Sequence, residues 1–177
     1  MNELFKKIII IFGIIVFQLL IYFNIEITNA DAEIVGTWDV SYDSDSNVTA
    51  TLYKDGNLVI SGTGKMTSVR SNSNNQDRYI VPDQYIKDVK SIKIESGVTS
   101  IGYNVFKLYT AVENIIISNT VTEIGGGAFA GCTSLKSVHI PANVQKIGNS
   151  IFFYCTNLAS ISIDANNTNY MMEDGIL

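Results

Sequence analysis

Ile101-Gly102, Ile124-Gly125 and Ile147-Gly148 recur 23 residues apart. A fixed period of that length restricts a chain to folds that stack one unit on the next. Phe106, Phe129 and Phe152 keep the interval, as do Val98, Val121 and Val144. Ile94, Ile117, Ile140 and Ile163 keep it as well, beside Ile92, Ile115, Val138 and Ile161. Cys132-Thr133 returns as Cys155-Thr156, with Tyr109-Thr110 at that point of the first copy, and Val112, Leu135 and Leu158 close the units. Alternation turns each pair such as Ile92 and Ile94 inward from a short strand. The glycine that follows allows a backbone turn that a side chain would obstruct. The three phenylalanines are expected to stack into a column. One copy buries about six large apolar side chains, each worth roughly 1.5–3 kcal/mol. Ordering its 23 residues costs about as much or more. A single copy should therefore not fold alone, and stability must come from its neighbours.

The stretch from Val121 to Pro141 resembles a BspA-type leucine-rich repeat. It carries that family's valine (Val121), isoleucine-glycine pair (Ile124-Gly125), alanine-phenylalanine pair (Ala128-Phe129), cysteine (Cys132), leucine (Leu135) and closing isoleucine-proline (Ile140-Pro141). The match runs from Ser91 to Ile163 and extends toward Leu177. The first copy departs from the pattern, with Val105 for the alanine and Tyr109 for the cysteine, while Glu95 and Ser118 stand where Pro141 does. The resemblance implies a β-rich solenoid: a leucine-rich-repeat-like right-handed coil of 23-residue repeats with an N-terminal β cap. Such repeats are similar to those of bacterial cell-surface proteins, which implies adhesion or protein binding without catalysis.

The expected organisation has four parts. Residues 1–32 read as a signal peptide: Lys6 and Lys7, a 16-residue apolar run from Ile8 to Phe23 broken by Gln18, then Ala30-Asp31-Ala32 at a cleavage site. That run spans roughly 24 Å as a helix, short of the ~30 Å hydrocarbon core. An uncleaved N-terminal anchor is the alternative, and the membrane is then met through this segment. Residues 33–66 read as the N-terminal β cap. A strand around Thr37–Ser41 precedes a hairpin whose Asp55-Gly56 supplies the positive φ of a tight turn, and Trp38 is read as the core anchor of this unit. Residues 67–90 read as a Ser- and Asn-rich mobile linker followed by a lead-in, with Tyr85, Ile86 and Val89 at helical spacing. Residues 91–177 hold three full repeats and one partial one.

Chemistry-bearing residues are few. Cys132 and Cys155 sit one copy apart, and an even pair in an exported protein raises the prospect of a disulfide. Adjacent rungs about 5 Å apart permit one. Two buried thiols, in a column that also accepts Tyr109, is the reading preferred here. Asp43-Ser44-Asp45-Ser46-Asn47 resembles the opening of a calcium loop, but Val48 and Lys54 stand where its glycine and closing glutamate belong. His139, the one histidine, turns outward without a nucleophile or orienting group in a recognisable motif. No catalytic residue, cofactor or metal ligand is assigned. A net charge of −5 with no basic block argues against nucleic acid.

What remains is a surface. The outward strand positions Lys93, Glu95, Ile116, Ser118, His139, Pro141, Ser162 and Asp164 form the candidate interaction face, for an extracellular or host protein. A structural spacer of a larger surface protein is the alternative, as is the non-catalytic part of a secreted enzyme. After Ile163, Asn166-Asn167-Thr168-Asn169-Tyr170 and then Asp174-Gly175-Ile176-Leu177 resemble the longer repeat variant of the family cut short, whose apolar end at Ile176-Leu177 is open to self-association.

Overall fold

The computed structural model describes residues 33–69 and 80–171. The expected signal segment, the linker from 70 to 79 and positions 172–177 lie outside the described residues. One compact unit begins at Glu33.

Three antiparallel strands come first: β1 (Ile34–Asp39), β2 (Asn47–Tyr53) and β3 (Asn57–Lys65). Val48, Ala50 and Leu52 are fully buried, as are Leu58 and Ile60 of the facing strand, so the two-residue alternation read from the sequence is the alternation observed. The β2–β3 turn uses Gly56 at φ +89°. Trp38 is only half-buried: its ring lies 6.0 Å from that of Tyr85 at the margin of the core, and Ala50 and Ile60, not the tryptophan, fill the interior beside it. Thr67 and Val69, at the head of the expected mobile linker, are tied into the fold. Thr67 N donates to Val40 O at 2.7 Å and Val69 N to Tyr103 O at 2.8 Å, and the Val69 side chain is buried. Tyr85, Ile86 and Val89 belong to a short 3-10 helix (Asp83–Asp88) and its end, with Ile86 and Val89 facing the core.

Seven short strands follow: β4 (Ser91–Ile94), β5 (Val98–Ile101), β6 (Asn114–Ile117), β7 (Glu123–Ile124), β8 (Ser137–Ile140), β9 (Lys146–Ile147) and β10 (Ser160–Ile163). They are parallel and fall into two rows. β4 pairs β6, and β8 pairs β10 in a second small sheet beside β6. β5 pairs β7, which pairs β9. The partners are Ile92↔Ile115, Ile101↔Ile124↔Ile147 and Val138↔Ile161, each separated by one sequence period. β3 starts both rows, pairing β4 through Asn57–Ile60 and β5 through Gly64 and Lys65. This is a strand-rich repeat fold, and the apolar residues of the period form one continuous core.

The phenylalanine column is present. Phe106 and Phe129 stack with centroids 5.7 Å apart and planes 3° from parallel, and Phe129 and Phe152 stack at 5.9 Å and 12°. The glycines of the Ile-Gly pairs have another reason than the one read from the sequence. None of the three has a positive φ. A Cβ on Gly125 would lie 2.6 Å from Tyr103 N and 2.7 Å from Gly102 C, and one on Gly148 or Gly102 would strike the backbone of Gly126 or Thr67. Close approach of the preceding segment, not a turn, excludes a side chain there.

Positive φ falls elsewhere, in two columns. Asn104 (+56°), Gly127 (+64°) and Ser150 (+59°) form one, and Leu108 (+67°), Gly131 (+76°) and Tyr154 (+58°) the other. Between these positions the turns also bond copy to copy. Phe106 N donates to Ala128 O at 2.9 Å and Phe129 N to Ile151 O at 3.0 Å. Leu108 N reaches Ala130 O at 2.8 Å, and Gly131 N reaches Phe153 O at 2.7 Å. Backbone groups that a turn would leave to water are thus satisfied by the next copy.

Candidate interaction surface

Because inward positions alternate with outward ones, the rows β4, β6, β8 and β10 present a sheet face whose side chains are fixed by register. Lys93 lies opposite Val59 on one side and Ile116 on the other, while His139 lies opposite Ser162. Ile116 is 61% exposed. Glu95, Ser118 and Asp164 follow their strands and are half-buried. Pro141 is buried and so leaves the face; Asn167 Nδ2 donates to its carbonyl at 2.9 Å. The structure therefore gathers Lys93, Glu95, Ile116, Ser118, His139, Ser162 and Asp164 on one surface.

Its electrostatics are local. Lys93 Nζ meets Glu95 Oε1 at 3.1 Å, and Lys136 Nζ meets Glu113 Oε2 at 2.5 Å, both exposed pairs of small energetic weight. The hydrogen bond and charge of Lys136 hold the Glu113 carboxyl below the usual range. Asp164 is also lowered, first by the backbone N–H of Asn166 and then by the Asn166 side chain, with a smaller contribution from His139.

His139 has neighbours that its own strand does not show. Its Nδ1 shares a hydrogen bond with Ser162 Oγ at 3.0 Å, and its Nε2 lies 3.9 Å from Asp164 Oδ2. A serine, an imidazole and a carboxylate thus meet, joined only by strand pairing one period apart. The signal was available in the repeat itself, since Ser162 sits at the His139 position of the next copy. The geometry does not activate the serine. The Asp164 contact exceeds a hydrogen bond, and the imidazole and carboxylate are 56% and 34% exposed, whereas nucleophilic catalysis needs an oriented base shielded from water. The trio forms an exposed polar patch.

Asp43 and Ser46 form a closed turn, with Ser46 Oγ donating to Asp43 Oδ1 at 2.6 Å and accepting from Lys65 N at 3.0 Å. Among the described residues no group of three or more His, Cys, Asp and Glu side chains is placed to hold a metal ion. Among them, too, no helix is long and apolar enough to cross a membrane.

Cys132 and Cys155 are free and buried. Each thiol donates to a carbonyl of the preceding copy, Cys132 to Phe106 O at 3.3 Å and Cys155 to Phe129 O at 3.2 Å. Burial, then the neighbouring Cys155, pushes the Cys132 thiol from 9.0 up to about 12, and burial raises Cys155. At pH 8 the Cys132 thiolate fraction is then on the order of 10⁻⁴, and the thiolate is the reacting form. Maleimide should label the folded chain only slowly, Cys155 ahead of Cys132, and modify both cysteines alike in denaturant, as read by mass spectrometry. Rapid labelling of native Cys132 would contradict the burial. A raised thiol pKa favours the neutral form in the folded state. Its contribution is therefore full below pH 9.0 and is lost as pH rises from there toward about 12.

The comparisons with known proteins agree with this architecture. The model of a BspA type leucine rich repeat region (6 copies) matches residues 84–174. Among curated proteins none matches. A leucine-rich repeat protein from Eubacterium ventriosum is similar in structure, with a TM-score of 0.51 and 23% identity over 79% of this chain. This chain spans 47% of that protein's length. A leucine-rich repeat protein from Bacteroides capillosus aligns with a TM-score of 0.40 and 20% identity, over 73% of this chain and 99% of its own. A leucine rich cell surface protein from Faecalibacterium prausnitzii aligns with a TM-score of 0.27 and 17% identity, over 76% of this chain and 57% of its own. With a family match over half its length and the recurring strands, glycines and phenylalanines described above, the chain belongs to the BspA type leucine rich repeat family.

Proposed function

We propose that this chain is an exported cell-surface repeat protein that binds another protein, without catalysis, through the face bearing Lys93, Glu95, Ile116, Ser118, His139, Ser162 and Asp164. The observation that carries this reading is the exposed Ile116, at 61%, set in a flat field of charged and hydroxyl side chains at fixed register. An apolar centre with a polar rim is the usual anatomy of a recognition surface. In this reading the parallel rows are turns of a right-handed solenoid of 23-residue repeats, and residues 33–66 are its N-terminal β cap. Parallel strands one period apart support the first, and the antiparallel β1–β3 ahead of both rows supports the second. Export rests on Lys6, Lys7, the apolar run from Ile8 to Phe23 and Ala30-Asp31-Ala32, and family membership agrees with a place at the cell surface. A spacer within a larger surface protein is the second reading, favoured by the chain's spanning 47% of its longer structural relative.

The test is surface-plasmon binding of the full chain to a panel of purified extracellular proteins, beside the variants Lys93→Glu and Asp164→Lys. Recognition through the strand face should lose on the order of tenfold in affinity in each variant, with a change in salt dependence. Equal binding by all three chains, or none by any, would remove the strand face as the site and leave the spacer reading.

A further inference from the structure

The turns carry a second surface of different character. Residues 103–110, 126–133 and 149–157 hold a single charged side chain, Lys107, on a chain whose net charge is −5. Yet they expose Tyr103 (52%), Leu108 (46%), Phe153 (59%) and Tyr154 (69%). The Phe153 and Tyr154 rings meet edge-on, with centroids 4.4 Å apart. Leu108 lies over Gly131, whose column ends at Tyr154: a Cβ on that glycine would lie 2.7 Å from Leu108 Cδ2.

Two of these side chains also stand where the backbone disfavours any side chain. Leu108 and Tyr154 occupy φ +67° and +58°, and the middle copy fills the same column with Gly131. Glycine is therefore compatible with the column, and an L-residue there is strained. Large apolar groups held in water and on a strained backbone are a combination that folding alone does not favour.

We propose that this turn face is an interface between two copies of this chain. Two molecules of net charge −5 repel each other least where the approaching surfaces carry no carboxylate, and these turns carry none. A two-fold contact demands a self-complementary patch. Exposed aromatic rings bordered by the exposed Asn149, Ser150 and Asn157 meet that demand: rigid rings supply area, and amides and hydroxyls supply adaptable hydrogen bonds. Aromatic side chains offer about 150–250 Å² each. With roughly half of that exposed, the three rings contribute on the order of 300 Å², to which Leu108 adds, toward the ~800 Å² per partner of a standard interface. The remainder falls to the polar border, which fits a dimer of about micromolar affinity. This surface is separate from the strand face, and its failure would leave the proposed function untouched.

The experiment is sedimentation velocity of the full chain over a concentration series from roughly 1 to 300 μM, with the variants Tyr154→Gly and Phe153→Ser. The chain should dimerise with rising concentration, and each variant should associate about tenfold more weakly. Association should persist at about 1 M salt, where contacts between exposed charges are screened. Tyr154→Gly should at the same time raise Tm by a few degrees through relief of the positive φ, so weaker association cannot be put down to lost folding. A chain that stays monomeric throughout would overturn the proposal and point to a different partner for these rings. Association that both variants leave intact would overturn it too, placing the contact elsewhere, such as the apolar run from Ile8 to Phe23.

Discussion

Replacing Phe129 with alanine is expected to lower the unfolding midpoint by roughly 6–20 °C, the largest effect of any single side-chain truncation in the repeats. Its ring is fully buried and stacked on both faces, against Phe106 at 5.7 Å and Phe152 at 5.9 Å. Truncation therefore opens a void that no flanking residue can fill without breaking the stack on one side. Buried phenylalanine-to-alanine changes cost about 3–5 kcal/mol when the site cannot collapse. Phe152, stacked on Phe129 and half-buried, should cost appreciably less. Thermal unfolding of the two variants, followed by circular dichroism, checks both statements. A Phe152→Ala variant as damaged as Phe129→Ala would mean that the column does not act as a shared interior.

The second large effect is expected from adding a single methyl group. Gly125→Ala places a Cβ 2.6–2.9 Å from three backbone atoms, Tyr103 N, Gly102 C and Gly102 O. Backbone cannot rotate away as a side chain does, so the two segments must separate. That separation strains the bond from Gly125 N to Ile101 O at 2.8 Å and the β5–β7 ladder beside it. A cost of about 3 kcal/mol, at the upper end for overpacking, is expected. Gly126→Ala is the internal control. Its nearest neighbours are Tyr103 Cε2 at 3.2 Å and Asn149 O at 3.3 Å, and a half-exposed ring can shift by a few tenths of an ångström. Its cost should stay below about 1 kcal/mol. Urea unfolding of the adjacent pair decides the point, and equal losses would show that close approach at Gly125 is not the constraint.

Much of this architecture is legible from spacing because a parallel stack converts sequence distance into spatial contact. Residues 23 apart become neighbours, so the phenylalanine column and the paired inward isoleucines could be written down before any coordinates. What a period cannot supply is the reason for each residue. Gly102, Gly125 and Gly148 were expected to permit turns, but the turns with positive φ lie a few residues later, in columns that Gly127 and Gly131 mark in the middle copy while Leu108, Ser150 and Tyr154 hide them in the others. Trp38 and Pro141 mislead in opposite directions, and each meets a residue distant in sequence: Tyr85 packs beside the first, and Asn167 bonds the carbonyl of the second. The same holds for His139. Read along its strand it has no partner, and read across to the next copy it has Ser162 and Asp164.

The uniform offset between paired strands has an evolutionary corollary. Such a molecule has a built-in quantum of length. Duplicating any 23-residue stretch inserts one more layer and leaves every existing alignment intact. One extra residue inside β8 would instead throw that strand's pairing out of step, reversing which of its side chains face the interior. Gene lengths among relatives of this chain should therefore cluster at whole multiples of the period.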